Sequence, residues 1–560
     1  MLKGHPKGLL VAFFSNMGER FGFYTMMAIL VLFLQARYGL TEQQAGSYYS
    51  WFYFGIYALA LVGGIIADAT SKYKMVILLG IIIMFGGYAI IAVPGMSLTI
   101  TLVGLFTIAL GNGLFKGNLQ AVVGQMYDDP KYSKVRDSAF MIFYMGINIG
   151  AFFAPFVATG IRNWFLRTQG FEHDGSLPGL SHAFQRGELK DLEGFQALAD
   201  KVSGAPVADL TTFSQTYLDA FAKGYNYAFG IAAGAMILSL LVYIIFNKYL
   251  PNKQKVAKTA ESRAAQMPWS EEKPRLIALG LVFIVVIFFW MSFHQNGLTM
   301  TLFARDYTVK EVGPFTNLFF QLESILAFIG AIAGFFILLL RKKISEKIIG
   351  LAMFGGLGYL AYYFYSSNQA MNPIAPEVFQ SFNPLFIVAL TFPVMGVFAW
   401  LRNKNIEPST PKKIGIGMII AALGFVVILV ASLNLVSPHE LKYVDEAGKI
   451  AYEAVPDSSR VMPYWLMSSY LILTIAELFL SPMGLSFVSK VSPPRFQGLM
   501  QGGWLLATAI GNKLLFVGSV FWGKLDLWML WGIFLVCCIL SAAFIFSILK
   551  RLERVTNSVN

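Results

Sequence analysis

Several ionisable residues stand inside stretches that are otherwise apolar enough to cross a membrane, and any chemistry must centre on them. Between residues 10 and 36, Asn16, Arg20 and Tyr24 recur at i, i+4 and i+8 on one helical stripe, with Glu19 beside it. Lys116, His294, Glu323, Glu477 and Lys513 lie in later apolar stretches. Each costs at least about 2.5–3.5 kcal/mol at the centre of a membrane helix, so each needs a partner or a polar cavity. For Glu19 and Lys513, a packing ion pair is the competing explanation. Arg20 and Lys116 in the first half, with Glu477 in the second, would suit a zwitterion held between the halves. A peptide has that pattern, with a carboxylate at one end and an ammonium at the other. Tyr24, Tyr57, Trp290 and Trp504 are placed to line the space between, against the plainer alternative of packing. His294 opens a polar run, His294-Gln295-Asn296-Gly297, in mid-span, and an ordinary histidine exchanges a proton near pH 6.5, roughly neutrality.

The elements that must position these residues follow from composition. The chain has 560 residues, 56% of them hydrophobic and only 13% charged, with a mean hydropathy of +0.61. Soluble domains carry about 25% charged residues. The excess apolar residues fall in blocks of the roughly 20 that a membrane helix needs. We read about fourteen spans, near 10–36, 44–67, 75–94, 98–122, 138–161, 224–247, 276–302, 314–340, 346–366, 382–401, 413–435, 462–489, 497–520 and 526–549. Lys3 and Lys7 precede a first span that contains Glu19 and Arg20 and is too long for a signal peptide, so it reads as a retained helix.

The net charge of +12 does not point to nucleic acid, because the basic residues sit in short loops between spans. They cluster in alternate loops: Lys72 and Lys74; Lys131, Lys134 and Arg136; Arg341 to Lys343; Arg402 and Lys404; Lys412 and Lys413; Lys550, Arg551 and Arg554. The short loops opposite hold little positive charge, which predicts that both termini are cytoplasmic and the protein a multi-pass protein of the cytoplasmic membrane. Two polar segments face the other side, 162–223, expected to form a small helical cap, and 436–460. Adjacent Cys537 and Cys538 offer neither a disulfide framework nor zinc spacing. No metal, cofactor, nucleotide-binding or nucleophile pattern is present, so an enzyme is not expected.

Motifs along the chain then resemble the proton-dependent oligopeptide transporter family of the major facilitator superfamily. Glu19-Arg20-Phe21-Gly22-Phe23-Tyr24 is similar to the family's E-x-x-E-R-F-x-Y-Y. Gly63 to Asp68, Gly111 to Lys116, Phe143 to Gly150, Gln380 to Phe386, Glu477 to Pro482 and Gly511 to Lys513 follow in family order. The resemblance implies an all-α membrane fold of two six-helix bundles rocking around a central site. The division would be 1–247 for the first bundle, 248–275 for a cytoplasmic linker, 276–549 for the second bundle and 550–560 for a cytoplasmic tail. It implies that Arg20 and Lys116, with Tyr24 and Tyr57, attract a peptide carboxylate. Glu477 and Asn383 would hold the amino end, and Asn148, Trp290 and Trp504 would shape the pocket. The implied activity is import of di- and tripeptides by a monomer, coupled to protons through Glu19, His294 and Glu477.

Three residues depart from the family pattern. Asn16 replaces the first glutamate, Phe23 replaces a tyrosine, and His294 stands where similar proteins have a glutamate. An uncoupled facilitator or exchanger, or a carrier of another amphoteric solute, is therefore the alternative. The extra helix pair, 314–366, is expected after the seventh span rather than between the bundles, as a peripheral scaffold.

Overall fold

A computed structural model describes residues 4–132, 135–251, 267–444, 450–493 and 496–557. Lys3, Lys134 and most of the expected linker lie outside the described residues. Among the described residues, fourteen helical segments are long and apolar enough to cross a membrane. The first six are α1 (Gly8–Tyr38), α2 (Glu42–Thr70), α3 (Tyr73–Ala92), α4 (Leu98–Met126), α5 (Arg136–Thr168) and α8 (Leu210–Phe246). They form one bundle, in which α1 packs on α5 and α8, and α4 on α2 and α3. Two short helices, α6 (Leu177–Arg186) and α7 (Leu192–Ser203), make a cap between α5 and α8.

The second bundle begins with a broken span. Its first part, α9 (Trp269–Phe293), ends in a 3₁₀ turn at His294–Gly297 and resumes as α10 (Thr299–Asp306). A hairpin follows, α11 (Leu322–Leu340) and α12 (Ile344–Ser367), whose helices pack mainly on each other. Of α12 only Gly350 is buried, so its apolar side chains face outward, as lipid-facing side chains do. The bundle is completed by α13 (Phe382–Asn403), α14 (Thr410–Ala431), α15 (Pro463–Val491), α16 (Gln497–Lys513) with its continuation α17 (Phe516–Trp522), and α18 (Leu527–Ser547). A nine-residue tail helix, α19 (Leu549–Asn557), buries Leu552 and Val555. Among the described residues the fold is all-α but for two small two-stranded ladders outside the spans. They are β1 (Glu311–Val312) with β2 (Asn372–Pro373), and β3 (Lys442–Val444) with β4 (Ile450–Tyr452).

Local chemistry sets these boundaries. Thr41 starts α2 with a capping box: its hydroxyl accepts from the Gln44 amide at 3.3 Å while the Gln44 side chain accepts from the Thr41 amide at 3.1 Å. Gly39, at φ +60°, supplies the left-handed residue that ends α1. With fourteen described spans, the last one ends at the same end of the molecule where the first begins. We call the other the cap end.

The structure corrects the span limits on the cap side. The cap is only 169–209, because α5 runs on to Thr168 and α8 begins at Leu210 rather than near 224. Glu323 is exposed in the first turn of α11, which begins eight residues later than the apolar run suggests, and it joins no central cluster.

Candidate functional site

Close helix crossings bring the intramembrane residues together. A Cβ on Gly63 would lie 2.1 Å from the Gly113 carbonyl oxygen, so α2 and α4 cross in backbone contact. That crossing sets Tyr57 against Lys116, whose ammonium lies 4.0 Å from the tyrosine ring centre. In the second bundle, a Cβ on Gly511 would meet the Ile287 carbonyl at 2.6 Å, which presses α16 onto α9 beside His294. Gly484 of α15 gives the Trp504 indole its seat, since a Cβ there would fall 1.9 Å from the ring.

The two cations of the first bundle have different surroundings. Arg20 is buried and held by Glu19 through two bonds of 2.5 Å each, from Nε and Nη2, and it lies over the Phe23 ring at 4.6 Å. Asn112 Nδ2 donates to Glu19 Oε1 at 2.6 Å. Glu19 and Arg20 are thus a closed, charge-balanced pair. Lys116 is half-buried and, among the described residues, has no carboxylate at ion-pair distance. Across the bundle interface, Glu477 is buried and accepts from Asn383 Nδ2 at 3.0 Å; Asn383 also donates to Thr474 Oγ1 at 3.0 Å. Glu477 has no cationic partner among the described residues. Tyr24 lies one turn beyond Arg20 on α1, its ring edge-on to Phe23 at 5.1 Å.

His294 is bound on both sides. Its Nδ1 lies 2.5 Å from Asn512 Oδ1, and its Nε2 lies 3.1 Å from Tyr53 Oη, across the interface. With Asn512 presenting its oxygen, Nδ1–H donates to the amide, and the Tyr53 hydroxyl, able to donate or accept, completes the bonding of Nε2. Trp290 stacks on it at 4.6 Å, and the Trp290 indole N–H has no partner among the described residues. The break after His294 frees the Asn296 carbonyl, which accepts from Tyr470 Oη at 2.7 Å and Thr301 Oγ1 at 3.2 Å. Broken spans are tolerated in a membrane where neighbours satisfy the freed backbone in this way.

The other expected residues divide between the interface and its edge. Asn148 is buried on α5 and donates to the Tyr144 carbonyl at 3.1 Å. Trp504 is buried at the α15–α16 contact. Asn16 is buried one turn from Arg20, with its Nδ2 unpartnered among the described residues. Lys513 lies apart, donating to Ser50 Oγ at 3.2 Å over the Trp51 ring. Sequence reasoning missed Tyr53, Asn112, Thr474 and Asn512. The i, i+4 spacing of Tyr49, Tyr53 and Tyr57 was the available signal for the first, and Asn512 stands beside the Lys513 that was singled out.

The cap end is closed by contacts between the bundles. Gln380 Nε2 donates to the Ala28 carbonyl at 3.2 Å, and Ser381 Oγ donates to the Phe152 carbonyl at 3.1 Å. Arg162 and Glu377, both fully buried, form an ion pair that Tyr225 Oη joins at 2.9 Å. Arg305 reaches Gln35 Oε1 at 2.8 Å and Glu42 at 3.6 Å.

The two six-helix bundles, one carrying Lys116 and the other Glu477, are those of a multi-pass membrane transporter of the major facilitator type, not an enzyme. The chain matches the POT family over residues 74–273 and 364–521, well over half its length, and it belongs to that family. It is 28% identical to the peptide transporter YePEPT of Yersinia enterocolitica, covering 99% of this chain and 96% of that one. It is 25% identical to the dipeptide and tripeptide permease A of Escherichia coli strain K12, covering 91% and 83%. Among solved structures it resembles a POT family transporter in complex with 5-aminolevulinic acid, with a TM-score of 0.66 at 20% identity over 99% of this chain and 98% of that one. A peptide transporter POT in complex with sulfate gives 0.65 at 23% identity over 99% and 96%.

Proposed function

We propose that this protein imports di- and tripeptides across the cytoplasmic membrane by alternating access, with its termini in the cytoplasm and its cap outside. The carrying observation is the pair Lys116 and Glu477. They stand on opposite bundles, neither has an oppositely charged partner among the described residues, and a short zwitterion would satisfy both. Lys116, steadied by Tyr57, takes the carboxylate. Glu477, oriented by Asn383, takes the ammonium, and Tyr24, Asn148, Trp290 and Trp504 bound the space between. Arg20 supports this arrangement through Glu19 and acts on substrate only when that pair opens. The family relatives named as peptide transporter and as dipeptide and tripeptide permease favour the same substrate class. The two bundles, 1–247 and 276–549, rock about the site, and the α11–α12 hairpin stands aside as a scaffold.

Coupling to protons rests on Glu19, His294 and Glu477. In proteoliposomes, an acidic exterior is expected to speed dipeptide uptake, and Glu477→Ala to abolish it. An uncoupled exchanger is the second reading, and a specific observation favours it: Asn16 cannot titrate, and His294 is satisfied on both nitrogens by neutral partners. Counterflow without any concentrating uptake under a pH gradient would decide for that reading. Asn16→Glu combined with His294→Glu is then expected to confer dependence on the gradient.

A further inference from the structure

The chain carries two insertions beyond its twelve bundle helices, the cap and the α11–α12 hairpin, and they meet. The cap is anchored to the first bundle. Phe171 packs edge-on against Phe213 and Tyr217 of α8, Tyr217 Oη accepts from the Asp174 amide at 3.0 Å, and His182 Nε2 lies 2.8 Å from the Ala36 carbonyl oxygen. The hairpin is stitched into the second bundle at its cap-end base. There β1 pairs with β2, the Ile374 amide donates to the Lys310 carbonyl at 2.9 Å, and the Val309 amide donates to the Val461 carbonyl at 3.1 Å.

Lys310, at the root of the hairpin, reaches into the cap. Its ammonium donates to Asp174 Oδ2 at 2.6 Å, to Asp174 Oδ1 at 2.9 Å and to Ser176 Oγ at 2.7 Å. Asp174 is itself fixed, accepting from the Ser176 amide at 2.8 Å, so the lysine meets a preformed socket. Next to it, Lys201 of α7 pairs with Glu311 of β1 at 2.8 Å, with both side chains exposed. Exposed pairs hold little on their own, whereas a lysine with three bonds to a rigid, mostly buried acceptor is a directional link.

We propose that the two insertions form one latch, in which Lys310 in the Asp174 socket ties the bundles together at the cap end and must leave it before that end can open. The latch sets how much of the time the protein is closed on the cap side. It uses the alternating motion of the bundles and does not depend on which solute is carried. The buried Arg162–Glu377 pair lies beneath it, so release of the cap precedes exposure of that pair.

The test is single-molecule energy transfer on the full chain in lipid nanodiscs, with fluorophores on unnatural amino acids at positions 43 and 524, on opposite bundles at the cap end. Lys310→Asp is expected to raise the fraction of time at long distance at least about threefold. Lys310→Arg should stay near wild type. In a background lacking Cys537 and Cys538, Lys201→Cys and Glu311→Cys joined by a short bifunctional thiol reagent should abolish the long-distance state. An unchanged distribution in folded Lys310→Asp, or long-distance excursions at wild-type frequency in the cross-linked protein, would overturn the proposal. Should Lys310→Asp fail to fold, the cross-linked protein decides alone. Failure to transport peptide would leave this readout unaffected, so the two proposals fall separately.

Discussion

Arg20 and Lys116 carry the same charge on neighbouring helices, yet their surroundings give them different work. Arg20 is neutralised at 2.5 Å by Glu19, while Lys116 rests on a tyrosine face. Removing one member of a buried ion pair costs about 3–5 kcal/mol because the other charge is left uncompensated. Arg20→Ala should therefore lower the unfolding temperature clearly. Lys116→Ala should leave the unfolding temperature nearly unchanged and weaken dipeptide binding at least about tenfold, as measured by calorimetry. Equal losses of stability in both variants would contradict this division. The sequence made both cations visible, because charge in an apolar run is conspicuous. It could not show that Glu19 turns to Arg20, since adjacent helical positions do not ordinarily face each other and the pairing depends on rotamers set by Asn112.

Elements place these residues, and their limits were legible where apolar runs end in loop residues. All fourteen spans announce themselves by hydropathy. The missed features are those in which polar residues continue a helix. The start of α8 looks like loop by composition, but Phe213, Tyr217 and Phe221 repeat every four residues and support the cap. The break at His294–Gly297 shows in the sequence only as a polar run, which does not by itself say that the helix gives way to a 3₁₀ turn there. Glycine crossings are the sharpest test at this scale. Gly484→Ala should push Trp504 from its seat and cost about 1–3 kcal/mol, the usual penalty for overpacking. Trp504→Phe in the same chain should recover part of that loss; additive losses would show that the two do not share one space. At the cap, burial alone would raise the Asp174 carboxyl, but Lys310 beside it and the bonds from Ser176 hold it well below the usual carboxylate range. Its stabilising effect is thus fully present above the unfolded value of about 3.9 and is lost only as pH falls below that. His173 does not titrate into this range either, since burial and the nearby Arg162 press it below its ordinary value. Cap closure, followed by the same energy-transfer pair, should be constant from pH 5 to 8, and opening at pH 6 would mean that another group controls it.

At the scale of the whole molecule, two bundles meet through neutral hydrogen bonds at mid-membrane and through ion pairs at the cap end. Among the described residues, Lys116 on the first bundle and Glu477 on the second have no oppositely charged partner. That asymmetry is the physical content of the proposed function: substrate completes the charge balance between the bundles, and the bundles close around it. The most direct measurement compares the affinities of dialanine, N-acetyl-dialanine and dialanine amide for wild type, Lys116→Ala and Glu477→Gln. Wild type should bind the free dipeptide at least about tenfold more tightly than either blocked form. Glu477→Gln should no longer distinguish the acetylated form, and Lys116→Ala should no longer distinguish the amide. Variants that keep the wild-type preference for both free ends would contradict the account.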